Sequence, residues 1–366
     1  MPTRLARYVL ASYLRTLAVV QAAIVGIFLV IDFADRAHHY TGPGVLRDVS
    51  LLYACKALVV SYQLLPAALL LAAGACISGL RRRGEVTALG ALAVGPGVLY
   101  LGVLTGGLLA VAAAIGLDQM PVRNESPASV LGWAGQQVDV LTATRFRQWG
   151  DFAAYYGPRQ WFRGGNRVYF LRQQQGAVFV DVSIFTLGPD FTLTSRLDAE
   201  RMEPVPDGSW RLIRGAERTF PREGESALAP FDERVVRFPE DPAAFRLRAG
   251  RPEQMTLAEL RDEIARRERL ALPTSGYLMA QQNKLAYPAL GLPAAALAVA
   301  LALRRNRKGH LTAALLEGVG VVAALWCATV VFRALASSGT LSPPVAAWAP
   351  VVLLSAAAAA AIAWLE

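Results

Sequence analysis

Charge-free apolar stretches occupy residues 16–31, 57–80, 86–117, 285–303, 318–332 and 334–365, against the about 20 mostly apolar residues that crossing a bilayer requires. Six membrane spans are therefore expected. The first run is short, so Arg15 is expected to snorkel at one face while Asp32 lies near the other. It has no small-residue cleavage site in the usual place and reads as an uncleaved anchor. The third run is too long for one helix and contains Gly95-Pro96-Gly97, a strong breaker. A short helix over about residues 84–94 is predicted there, followed by a span at about 98–117. The fifth span is placed from near Leu311, with Glu317 inside it, and the sixth after Pro343-Pro344.

Between residues 119 and 250 the pattern changes to short alternating runs at 167–172, 177–187, 191–202, 210–214 and 234–238. Such spacing predicts an antiparallel sandwich or jelly roll. Gly164-Gly165-Asn166, Gly188-Pro189-Asp190 and Pro206-Asp207-Gly208 have the residues that tight turns demand, because glycine permits φ > 0 and proline presets φ. Thr256 followed by Glu259 is a capping-box pattern and predicts a charged helix over 256–270 leading back to the membrane. The expected fold class is thus an α-helical membrane protein with six transmembrane helices plus an inserted all-β jelly-roll domain. Its parts are residues 1–118 with the short helix, 119–275 for the insert and its connecting helix, and 276–366.

Composition agrees with the spans, since apolar residues make up 54% of the chain and mean hydropathy is +0.35. Net charge is +9, yet residues 118–275 hold 22 basic and 22 acidic side chains, leaving 15 basic against 6 acidic in the membrane part. A domain built to bind phosphates of nucleic acid should itself be basic, and the only soluble one here is balanced. Membrane topology explains the excess better. One set of short loops contains Arg4, Arg7, Arg15, Arg81, Arg82, Arg83, Arg304, Arg305, Arg307 and Lys308, and the opposite set only Arg36, Arg47 and Lys56. By the positive-inside rule both termini are cytoplasmic and the insert is periplasmic.

Candidate chemistry is sparse. No G-x-x-x-x-G-K-[ST] phosphate loop is present, so this chain is not expected to hydrolyse ATP by the usual P-loop route. Of the histidines, His38 and His39 adjoin the predicted outer surface, but spacing supplies no third metal ligand. Ser, Asp and His never meet in a G-x-S-x-G setting, and the acidic residues of the insert are interleaved with arginines as on solvated strands. Cys55, Cys76 and Cys327 all fall in apolar segments, which leaves the insert without a disulfide or a Cys-based zinc site.

Several segments carry a resemblance. Leu5-Ala6-Arg7-Tyr8 with Ile31-Asp32-Phe33-Ala34-Asp35, Pro66-Ala67-Ala68-Leu69-Leu70, and Arg82-Arg83-Gly84-Glu85-Val86 occur in the first half. Trp161 with Gly165-Asn166-Arg167-Val168-Tyr169, Val182-Ser183-Ile184-Phe185, Gly208-Ser209-Trp210-Arg211-Leu212 and Lys284-Leu285-Ala286-Tyr287-Pro288 follow in order. Together they resemble the LptF/LptG permease family of the lipopolysaccharide export ABC transporter, over about residues 4–365. Residues 255–288 look more like the LptG branch. Two positions depart: the late coupling-helix pattern is Leu89-Gly90-Ala91-Leu92-Ala93, and Asp32 stands where some LptG proteins carry a basic residue.

The resemblance implies a permease subunit that extracts lipopolysaccharide from the inner membrane and passes it along a periplasmic jelly-roll bridge toward the outer membrane. It implies as partners an LptB ATPase dimer, the other permease (LptF or LptG), LptC- and LptA-type jelly-roll proteins and the lipid itself, with no cofactor, no catalytic residue and no nucleic acid. Arg82, Arg83, Glu85 and Leu89 become candidates for ATPase coupling, the arginines serving equally well as topology determinants. Arg36, Arg47, Lys56, Arg123 and Arg333 are candidates for lipid-phosphate contact, or else interfacial snorkelling residues. Phe170, Phe179, Ile184 and Phe185 would line the jelly-roll groove, or simply fill its core. A membrane-anchored scaffold or sensor without transport activity is the alternative, and it would lack a coupling helix.

Overall fold

The computed structural model describes residues 2–41, 44–122, 129–142, 160–175, 178–221, 226–238, 252–269, 274–304 and 311–364. The chain divides into two compact units, one of Met1–Thr142, Pro252–Leu260 and Ser275–Glu366, the other of Ala143–Arg251 and Arg261–Thr274. Its helices are α1 (Pro2–Arg36), α2 (Val45–Gln63), α3 (Leu65–Arg82), α4 (Glu85–Ala91), α5 (Gly97–Gln119), α6 (Val130–Leu141), α7 (Leu257–Arg269), α8 (Ser275–Ala289), α9 (Gly291–Arg304), α10 (Leu311–Ser337) and α11 (Pro343–Ala363). Among the described residues, six helical stretches are long and apolar enough to cross a membrane: Arg4–His39, Leu65–Arg82, Gly97–Gln119, Ser275–Arg304, Leu316–Ser337 and Pro343–Ala363.

Boundaries differ from the sequence expectation where proline or good helix formers intervene. Helix α1 runs through both Arg15 and Asp32 as one helix of 35 residues, longer than the apolar run itself. The second run divides at Leu64. Pro66 has no N–H to continue the ladder, although Leu64 N–H still reaches Val60 and Ala68 N–H reaches Leu64 O, both at 2.9 Å. Likewise α8 begins ten residues before the apolar run and breaks from α9 at Leu290, just after Pro288. Helix α6 was not anticipated within the insert; Ser129 caps it by accepting from Gly132 N–H at 2.9 Å.

Small residues let the central helices approach. Ala68, Ala72 and Ala73 of α3 and Ala294, Ala295, Ala298 and Ala302 of α9 are buried in one core. On α5, a Cβ at Gly102 would lie 2.7 Å from the Val9 side chain, and one at Gly106 would lie 2.6 Å from the Tyr13 ring. These two glycines form a G-x-x-x-G pair, which packs α5 against α1 more closely than any side chain would permit. By contrast the first and fifth spans are only 11% buried, against 56% and 61% for the second and fourth.

Polar contacts sort the helix ends into two sets. At one end the Tyr8 hydroxyl meets Glu85, Arg81 donates to the carbonyls of Ala302 and Leu303, and Arg304 lies 5.5 Å from the Trp364 ring. At the other lie Asp32 with Lys56, Asp118 with Lys284, and Glu253 with Arg333.

Among the described residues of the second unit, the strands β1 (Gln160–Gly164), β2 (Arg167–Gln175), β3 (Val178–Leu187), β4 (Leu193–Pro204), β5 (Trp210–Thr219) and β6 (Ala227–Val236) form one antiparallel meander in sequential order. Strand β1 was not anticipated and β6 lies earlier than the predicted 234–238 segment; its side chains are mostly exposed, so burial imposes no alternation on it. The β1–β2 hairpin turns on Gly165 at φ +52° and the β4–β5 turn on Gly208 at φ +81°. In that second turn Ser209 donates its amide and hydroxyl to Asp207, which holds the carboxyl below the usual range.

A crease crosses this sheet. Arg172, Asp181, Glu200, Arg214 and Asp232 are each skipped by the pairing ladder on strands β2 to β6, while the register on either side is unchanged. Asp181 and Arg214 take positive φ there, +59° and +47°. Side chains change face at the crease: Phe179 and Val182 on β3, and Ala199 and Met202 on β4, are all buried although three residues apart. Exposed pairs Arg172–Asp181 (2.5 Å) and Arg214–Glu200 (2.7 Å) lie along its charged side.

Candidate functional site

The short helix α4 follows Gly84, whose φ of +76° turns the chain after Arg83. It is shorter than the predicted 84–94, ending where Ala93 adopts φ +54° and Val94 N–H reaches back to Leu89 O at 3.0 Å. Val86 and Leu89 pack against the helical core, which seats α4 on the bundle. Leu92 instead is 71% exposed. Arg83 lies 3.6 Å from Glu85, Arg82 is exposed, and Arg81 is used internally to satisfy terminal carbonyls of α9. Arg82, Arg83 and Glu85 thus come together at one end, while Leu89 faces inward.

At the opposite end most candidate cations have carboxylate partners. Asp32 accepts from Lys56 at 2.5 Å and from Tyr53 at 2.9 Å, and its other oxygen lies 3.2 Å from Arg36. Tyr53 in turn shares a 3.0 Å hydrogen bond with Tyr40, and Lys56 is buried. Lys56 therefore belongs to a packed polar cluster. Arg47 is exposed near the start of α2, and Arg123 lies outside the described residues. Arg333 meets Glu253 at 2.6 Å, both largely exposed.

A further ion pair joins two residues that sequence reasoning did not single out. Lys284 donates to both oxygens of Asp118, at 2.9 and 2.8 Å, and to the carbonyl of Glu253 at 3.1 Å. Next to it Gln119 donates to Asp118 and accepts from Leu257 N–H, each within 2.8 Å. The reciprocal cap of Thr256 and Glu259, at 2.8 and 3.3 Å, starts α7 at the same place. This node fastens the returning segment to α5 and α8. Its signal was a lone acid and a lone lysine at the ends of two apolar runs, each of which demands a partner.

The four candidate groove residues are split between two faces. Phe179 and Ile184 are buried in the sheet's apolar core, whereas Phe170 and Phe185 are partly exposed and lie on the other face by register. Arg196, directly opposite Phe185, covers its ring at 5.5 Å.

Comparison with known proteins decides the family. The sequence profile described as "Lipopolysaccharide export system permease LptF/LptG" matches residues 7–364, nearly the whole chain. The chain belongs to the LptF/LptG family. No curated protein matches the chain significantly. Membership in LptF/LptG makes this a transport component of lipopolysaccharide export, and the six apolar spans with an inserted β module agree with that family's permeases.

Proposed function

We propose that the chain is the permease subunit of an inner-membrane ABC transporter that extracts lipopolysaccharide and passes it to a periplasmic bridge of LptC- and LptA-type jelly rolls. The family match over residues 7–364 carries this reading. An LptB dimer supplies ATP hydrolysis, and the other permease of the LptF/LptG pair covers the first and fifth spans, the two that leave most of their surface uncovered. Loop charge orients the chain, with the Arg81–Arg83 end cytoplasmic and the β module periplasmic.

In this reading α4 is the coupling helix. Leu89 anchors it to the bundle, while Arg82, Arg83 and Glu85 meet the ATPase. Movement of the ATPase reaches α3 and α9 through a rigid connection, because Arg81 ties their ends together. Arg36, Arg47, Arg123 and Arg333 form the cationic rim for lipid phosphates, where charge-assisted pairs are strongest. Lys56 supports that rim through Asp32. The buried face of the creased sheet, with Phe179 and Ile184, receives acyl chains as the module opens, and Phe170 and Phe185 border a neighbouring module.

Copurification with an ABC ATPase, followed by hydrolysis measured with and without lipopolysaccharide, tests the assignment. Lipid-stimulated hydrolysis is expected, with Glu85→Ala weakening the response at unchanged permease level. A chain that assembles with no ATPase and leaves hydrolysis unaffected by the lipid would contradict it.

A further inference from the structure

The Arg333–Glu253 pair differs in construction from the Lys56 cluster at the same end of the bundle. Lys56 is buried and donates to Asp32, which also accepts from Tyr53 and lies 3.2 Å from Arg36, so this lysine is committed to a packed polar cluster. Arg333 and Glu253 are 63% and 53% exposed, so their 2.6 Å contact is the weak, solvent-screened kind. Yet Glu253 is no wandering surface residue. Its backbone carbonyl accepts from Lys284, whose ammonium is buried against Asp118, and the neighbouring Gln254 donates to Asp139 at 3.1 Å. Gly132 lies under Gln254, since a Cβ there would sit 2.1 Å from the Gln254 carbonyl oxygen. The main chain is fixed while the carboxylate remains free to exchange.

Resting on the permease reading, we infer that Glu253 is a built-in counterion that competes with a lipid phosphate for the Arg333 guanidinium. A guanidinium at a membrane edge is costly to leave bare, and it binds carboxylate and phosphate oxygens with the same planar fork. When a phosphate-bearing lipid arrives, its oxygens take the place of Glu253; when the lipid leaves, the tethered carboxylate recaptures Arg333. Glu253 thereby lowers the affinity of the site and favours release, and its position is set by the Lys284–Asp118 node rather than by Arg333.

The test uses the full permease assembled with its partner permease and ATPase in nanodiscs. Binding of bis-phosphorylated lipid A, of the same lipid after dephosphorylation, and of inorganic phosphate is compared for the unsubstituted complex, Glu253→Gln, Arg333→Gln and the double variant. Glu253→Gln is expected to tighten binding of phosphorylated lipid A by about two- to fivefold, the range of an exposed ion pair. The gain should vanish in the Arg333→Gln background and be absent for dephosphorylated lipid. Competition by millimolar inorganic phosphate alone would overturn the assignment to a lipid headgroup. Unchanged or weaker lipid A binding by Glu253→Gln, or failure of that variant to assemble, would overturn the counterion role. Absence of lipid A binding by the unsubstituted complex would instead contradict the permease reading on which it rests.

Discussion

Two ion pairs near one end of the helical unit use the same chemistry in opposite settings. Lys284–Asp118 is 6% and 4% exposed, with the ammonium donating to both carboxylate oxygens and to the Glu253 carbonyl, whereas Arg333–Glu253 is more than half exposed on both sides. Burial, not distance, separates a structural joint from an exchangeable contact. A buried charge left alone has no water to turn to, so its pair must persist; an exposed one loses little when its partner changes.

Breaking the buried member should have the largest effect. Lys284→Met strands the Asp118 carboxylate and should cost about 3–5 kcal/mol, seen as loss of assembled complex or a large fall in unfolding midpoint. Replacing both partners by apolar residues should recover much of that loss, which would show that the cost was the uncompensated charge. Next comes the close approach of α5 to α1: Gly106→Leu drives a side chain into Tyr13 and should cost about 1–3 kcal/mol in the same measurement. Thr256→Ala removes one half of the reciprocal cap beside the node and should cost about 1 kcal/mol, with faster proteolysis of the return segment as its signature. Smallest is Arg333→Gln, expected to change the midpoint by less than about 1 kcal/mol while altering lipid binding. A large stability loss there would erase the contrast between the two pairs.

How much of this was legible beforehand follows the range of the interactions involved. The spans, the break at Gly95-Pro96, the turns at Gly165 and Gly208 and the cap of Thr256 with Glu259 depend on neighbours in sequence and could be read from it. Ion pairs between distant segments could not, since Lys284 and Asp118 are 166 residues apart. Arg36, Lys56 and Arg333 stood out in the sequence as cations near the ends of apolar runs, but their carboxylate partners did not. The faces of the groove residues were hidden for another reason. A period of two would put Phe179 and Ile184 on opposite faces of β3, but the crease at Asp181 resets the alternation and buries both. Helix α6 is short and begins at a serine cap that no strong periodicity announced.

The proposed export route requires α4 on the cytosolic side of the membrane and the β module on the periplasmic side. Cysteine introduced at Leu92 or at Asn166, both exposed, can be probed in intact cells and in inverted vesicles with a membrane-impermeant maleimide. Labelling of Asn166→Cys from the periplasm and of Leu92→Cys only from the cytosolic face is the expected result, and the reverse pattern, or both sites reacting from one side, would contradict the export route.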